Sequence, residues 1–161
     1  MSSQKATVIP VPNNLKAKMG GLGALDASAI AKAEAAMQAL SANFGQWLND
    51  EVAKLEGARA AIKANGLTKE TAEALYFRAH DLKGLGTTYE FPLVTKLAGS
   101  LCRLIDDPAQ RTTAPMVLVD AHIDAIKAMV RDGIRDPEHP VGRVLTNELE
   151  GRVKQHLAAA A

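Results

Sequence analysis

The stretch Arg78-Ala79-His80-Asp81-Leu82-Lys83-Gly84-Leu85-Gly86 puts a histidine, a lysine and a glycine within one helical turn. Near neutral pH a histidine ring keeps one nitrogen lone pair free, which makes it a competent nucleophile for a covalent intermediate. Lys83 is the natural counter-charge for an anion arriving at that ring, and a phosphoryl group brings roughly −1.5 to −2 charges at neutral pH. Gly84 costs an interior helical position about 1 kcal/mol relative to alanine. Its missing side chain offsets that cost if another molecule must come close to the helix beside His80. The bland alternative is a solvated histidine with a lysine that serves solubility, and the glycine is what weighs against it.

Helix rotation decides which way these groups face. At ~100° per residue, Ala72, Leu75, Ala79, Leu82, Gly86 and Tyr89 fall on one side and form the core stripe. His80 then lies roughly 140° from the centre of that stripe, and Gly84 lies almost opposite it. Both are expected to face water. Lys83 and Thr87 flank His80 at i+3 and i+7, and Tyr76 and Phe77 sit one turn before it. Tyr76, Phe77 and Thr87 are therefore the candidate partner-binding residues around the histidine, while Asp81 is expected to face elsewhere.

The elements that must hold this face are helical. Residues 1–25 contain Pro10, Pro12, Asn13, Asn14, Gly20, Gly21 and Gly23 and read as an irregular arm. Asp26 offers an N-cap to a long first helix whose apolar positions run Ile30, Ala33, Met37, Leu40, Phe44, Trp47, Leu48, Val52, Leu55, Ala58 and Ile62, ending at Asn65-Gly66. Thr68 caps the second helix, which carries His80 and runs to about Tyr89. Phe91-Pro92 breaks the chain before a third helix through about Ile105. Thr113 is expected to cap a fourth helix with Pro115 in its first turn, an inner stripe of Val119, His122, Ile123, Ile126, Met129 and Val130, and a stop at Gly133. Val141, Leu145, Leu149, Val153 and Leu157 mark a shorter fifth helix before an alanine tail. Short loops favour antiparallel neighbours, so the expected fold is all-α, an up-and-down antiparallel four-helix bundle with an N-terminal arm and an additional C-terminal helix. The domain reading is arm 1–25, bundle 26–135, and C-terminal loop and helix 136–161.

Composition excludes several function classes. Nineteen basic and eighteen acidic residues leave a net charge of +1, with aromatics only 4% of the chain and no basic stripe of the kind that tracks nucleic acid. No segment approaches the ~20 apolar residues of a membrane span, so a soluble cytoplasmic protein without nucleic-acid or membrane partners is expected. Cys102 is the single cysteine, read as a small buried apolar residue. His122 reads as a core-edge residue, and His139 and His156 lie in a loop and near the tail. None makes an i, i+4 ligand pair with His80, so no metal site is expected. The glycine runs "GLG" and "GGLG" lack the ending and the strand-to-helix context of a nucleotide loop, so autophosphorylation from ATP is not expected.

With "AHDLKG" as His80, Leu82, Lys83 and Gly84, followed by "PLVTKLAGSLCRLI", the chain resembles the histidine-containing phosphotransfer (HPt) domains of bacterial multistep phosphorelays over roughly residues 40–135. The resemblance implies a four-helix bundle whose exposed His80 accepts a phosphoryl group from the aspartyl phosphate of a receiver domain and passes it to another. It assigns charge stabilisation to Lys83 and close approach to Gly84. The implied partners are receiver domains of response regulators or of a hybrid histidine kinase, with Mg²⁺ on the receiver and no cofactor on this chain. The family often carries small polar residues after the glycine and a further glycine near the helix end. This chain has Leu85, Gly86 and then Glu90 there. The runner-up reading is a catalytically silent helical adaptor that binds receiver or kinase domains without phosphotransfer.

Overall fold

The structure, a computed structural model, describes residues 27–161, and every regular element among them is helical. The α-helices are α1 (Ala27–Asn65), α2 (Lys69–Thr88), α3 (Pro92–Leu104), α4 (Met116–Arg131) and α5 (Pro140–Ala160), with a 3-10 turn at Arg111–Thr113. The expected arm over residues 1–25 and the Asp26 cap lie outside the described residues. The chain divides into two units, residues 1–39 and 40–161. Of the first, residues 27–39 are described, and they are helical and exposed.

In the second unit the ends of the helices follow from local chemistry. Gly66, at φ +85°, takes the left-handed conformation that closes α1. Thr68 then starts α2: its hydroxyl accepts the Thr71 N–H at 3.2 Å while the Thr71 hydroxyl accepts the Thr68 N–H at 2.9 Å. At the other end of α2 the Phe91 N–H reaches the Gly86 carbonyl at 2.7 Å and the Glu90 N–H reaches that of Thr87 at 3.0 Å. This paired closure puts Glu90 at φ +65°, a conformation usually left to glycine. The Glu90 carboxylate accepts a hydrogen bond from Arg135 at 3.1 Å. Gly133, at φ +64°, closes α4 in the same way, with Ile134 N–H on Met129 carbonyl at 2.9 Å.

Helix α3 is the central strut. Eight of its side chains are buried, and α2, α4 and α5 all pack against it. Leu48, Val52 and Leu55 of α1, Leu75, Ala79 and Leu82 of α2, Val119, Ile123 and Ile126 of α4, and Leu149 and Val153 of α5 join it in one buried cluster.

Three expectations need correction. Thr113 does not cap α4, because its hydroxyl donates backward to the Gln110 carbonyl at 2.8 Å and closes the 3-10 turn, leaving Pro115 as the capping residue. On α5, Val141 and Leu157 are exposed, and the inner face is Gly142, Thr146, Leu149 and Val153. At Gly142 a Cβ would stand 2.6 Å from Leu93 Cδ1, so any larger residue would have to push that side chain aside where α5 approaches α3. The helix also runs on through the alanine tail to Ala160. On α1, burial begins only at Leu48, and Ile30, Met37, Leu40 and Trp47 are exposed.

Candidate functional site

Helix α2 turns its apolar stripe inward, with Ala72, Leu75, Ala79, Leu82 and Gly86 buried. His80 and Gly84 are consequently exposed on the other side, as the rotation of the stripe predicts. A Cβ built on Gly84 meets nothing within 4 Å. The ground beside His80 is therefore open, and it forms one wall of a cavity of about 530 Å³ lined by Glu51 and Lys54 of α1 and by Arg78, His80, Asp81, Gly84 and Leu85 of α2. Two ion pairs stand in this wall: Lys54 Nζ to Glu51 Oε1 at 2.6 Å and Arg78 to Asp81 at 3.7 Å. Asp81 was expected to face elsewhere. It lines the same cavity as His80, because α1 lies beside that edge of α2 and the space between them takes in both residues.

Lys83 occupies a different position. Its methylene stem lies over Gly99 of α3, 3.8 Å from where a Cβ of that glycine would be, so it flanks His80 on the α3 side and does not line the cavity. Tyr76 is half-buried, its ring centroid 6.1 Å from that of His80, and its hydroxyl donates to Asp106 at 3.2 Å. That hydrogen bond to a carboxylate raises the Tyr76 phenol above its ordinary value. The Arg111 guanidinium covers the other part of the ring, 4.2 Å from its centroid, while its Nε donates to the Ile105 carbonyl at 2.6 Å. Tyr76 is thus held in place beside the histidine, whereas Phe77 is 55% exposed. Thr87 is exposed but already engaged, its hydroxyl 3.0 Å from that of Thr95 on α3. The structure thus brings His80 and Gly84 together at one cavity, with the Tyr76 ring 6.1 Å from that of the histidine, Lys83 against α3 and Thr87 on a helix contact.

A second cavity of about 500 Å³ shares Glu51 and Lys54 with the first and is otherwise lined by Trp47, Asp50 and Tyr89. Phe44, Trp47 and Tyr89 stack there with centroids 5.5 to 5.9 Å apart. Sequence reasoning missed Glu51 and Lys54. Their only signal was an outward place beside the Val52 and Leu55 stripe, which says nothing about the neighbour they face.

His122, His139 and the cysteine have structural surroundings. His122 is buried, with Nδ1 2.7 Å from the Leu118 carbonyl and Nε2 2.9 Å from the Ser100 hydroxyl. A carbonyl only accepts, so Nδ1 carries the proton and Nε2 accepts from Ser100, the arrangement of a neutral ring. Burial holds that ring below its ordinary pKa of 6.5. His139 Nδ1 accepts the Gly142 N–H at 3.1 Å and so caps α5. Burial pushes the Cys102 thiol up to about 11, which leaves it inert as a nucleophile.

The chain matches no protein-family model, no curated protein and no solved structure. Among the described residues, no helix is long and apolar enough to cross a membrane.

Proposed function

We propose that this protein is a histidine phosphocarrier of a phosphorelay, taking a phosphoryl group onto His80 from the aspartyl phosphate of one receiver domain and passing it to another. The observation that carries the reading is the open ground at His80: an exposed ring on a helix whose other face is locked into the core, with nothing within 4 Å of the Cβ that Gly84 lacks. An in-line transfer needs that access, because the donor carboxylate must come within contact distance on the far side of phosphorus.

In the transfer, the free ring nitrogen of His80 forms the N–P bond as the acyl P–O bond breaks. That electron pair leaves on the receiver carboxylate, and the proton on the other ring nitrogen passes to solvent. Lys83, held against Gly99, supplies positive charge on the α3 side. Mg²⁺ belongs to the receiver, and this chain contributes the acceptor nitrogen and its electrostatic surroundings. The architecture that goes with this reading is an up-and-down bundle of α1 to α4 with α5 added, acting in the cytoplasm.

Incubation with a phosphorylated receiver domain is expected to give an acid-labile, base-stable label on the parent protein. His80→Gln is expected to abolish it while shifting stability by less than about 0.5 kcal/mol, since the residue is exposed. An unlabelled parent, or undiminished label on the variant, overturns the proposal.

A further inference from the structure

The cavity beside His80 contains a cation from a different helix that the motif does not include. Lys54, on α1, lines it together with His80 and Gly84, while Lys83 does not. Its ammonium is held by Glu51, one turn earlier on the same helix, at 2.6 Å, and its side chain remains 49% exposed. The other cation of the wall, Arg78, pairs with Asp81. The resting cavity is therefore balanced, with two cations and two carboxylates, and an incoming phosphoryl group of roughly −1.5 to −2 charges unbalances it. The exposed i, i+3 pair of Lys54 and Glu51 is worth little in water, so a dianion beside it competes for the ammonium effectively.

We infer that Lys54 is a second phosphoryl-stabilising residue, which exchanges Glu51 for the phosphoryl oxygens on His80 and grips them from the α1 side while Lys83 acts from the α3 side. This rests on the phosphocarrier reading and adds to it a defined role for a residue outside the "HDLKG" stretch. Glu51 acts in the opposite sense, because it holds the ammonium in the resting state and lends the cavity negative charge that repels the incoming group. The two residues are therefore coupled: the effect of removing Glu51's charge depends on Lys54 being present.

The test uses the full chain and potassium phosphoramidate, a small donor that phosphorylates histidine without a receiver, with uptake at His80 followed by intact mass. Lys54→Ala is expected to slow uptake about tenfold, the loss of one charge-assisted contact. Lys54→Arg restores it, Glu51→Gln raises the rate several-fold, and Glu51→Gln adds nothing in the Lys54→Ala background. Lys63→Ala, which removes the same charge from an exposed site near the end of α1, leaves the rate unchanged. Parental uptake by Lys54→Ala, equal slowing by Lys63→Ala, or an undiminished Glu51→Gln gain without Lys54 overturns the inference. Phosphoramidate uptake and receiver transfer fail separately: loss of transfer from a receiver in the parent sinks the phosphocarrier reading, whereas parental uptake by Lys54→Ala sinks only the role of Lys54.

Discussion

Gly84 and Gly86 are two positions apart on one helix, and the same missing methyl serves opposite ends. At Gly84 a Cβ meets nothing within 4 Å, whereas at Gly86 it would run into the Thr95 hydroxyl, stand 2.7 Å from the Thr95 nitrogen and 3.1 Å from the Phe91 carbonyl. Gly84→Ala is therefore expected to stabilise the protein by up to about 1 kcal/mol, the helix-propensity difference. Gly86→Ala is expected to destabilise it by about 1–3 kcal/mol, because backbone atoms of α3 must move away. Urea unfolding of both variants checks the pair, and a loss of stability for Gly84→Ala would show that this position has a packing role. His122 yields a second prediction. Its native pKa is depressed, so between that value and about 6.5 the unfolded chain binds more protons than the native one. Stability from this residue is full above pH 6.5 and falls as the pH drops through the native value, by at most about 1.4 kcal/mol per pH unit. Unfolding free energies between pH 7.5 and 5 should show a shallower slope in His122→Gln than in the parent.

Elements are placed by a few polar residues on otherwise apolar faces. Arg59 occupies the stripe position between Leu55 and Ile62 on α1, where it is buried and reaches across to Asp124 on α4 at 2.8 Å, with Asp120 at 3.5 Å and Glu56 also paired to it. An arginine in register with an apolar stripe is a legible signal of such a tie, although the partner helix is not. The α2–α3 joint is similar: Glu90 at φ +65° turns the chain, Pro92 opens α3, and Arg135 holds Glu90 from the loop before α5 and lies 5.0 Å over the Phe91 ring. The chain turns there on a glutamate with an ionic partner and not on a glycine. The site inherits its rigidity from these joints, since His80 rides on a helix fixed at both ends.

For the whole molecule, α5 is part of the core and not an appendage, because Leu149 and Val153 are buried in the same cluster as α2, α3 and α4. A chain ending at residue 135 loses those two side chains at about 1.5–3 kcal/mol each, a large share of the roughly 5–15 kcal/mol that holds an average domain together. Such a chain is expected to melt at a markedly lower temperature and to bind a hydrophobic dye, and a parental melting temperature would contradict this. The sequence alone determined the helices, most of their ends and the outward rotation of His80 and Gly84, because periodicity, capping threonines, glycines and prolines act through neighbours in the chain. That α5 turns Gly142 and not Val141 inward, that Asp81 lines the cavity beside His80, and that Lys54 of α1 lines it too were decided only by tertiary structure. Those outcomes depend on which faces approach across space, as at Gly142 against Leu93 Cδ1 and at the cavity that α1 and α2 line together.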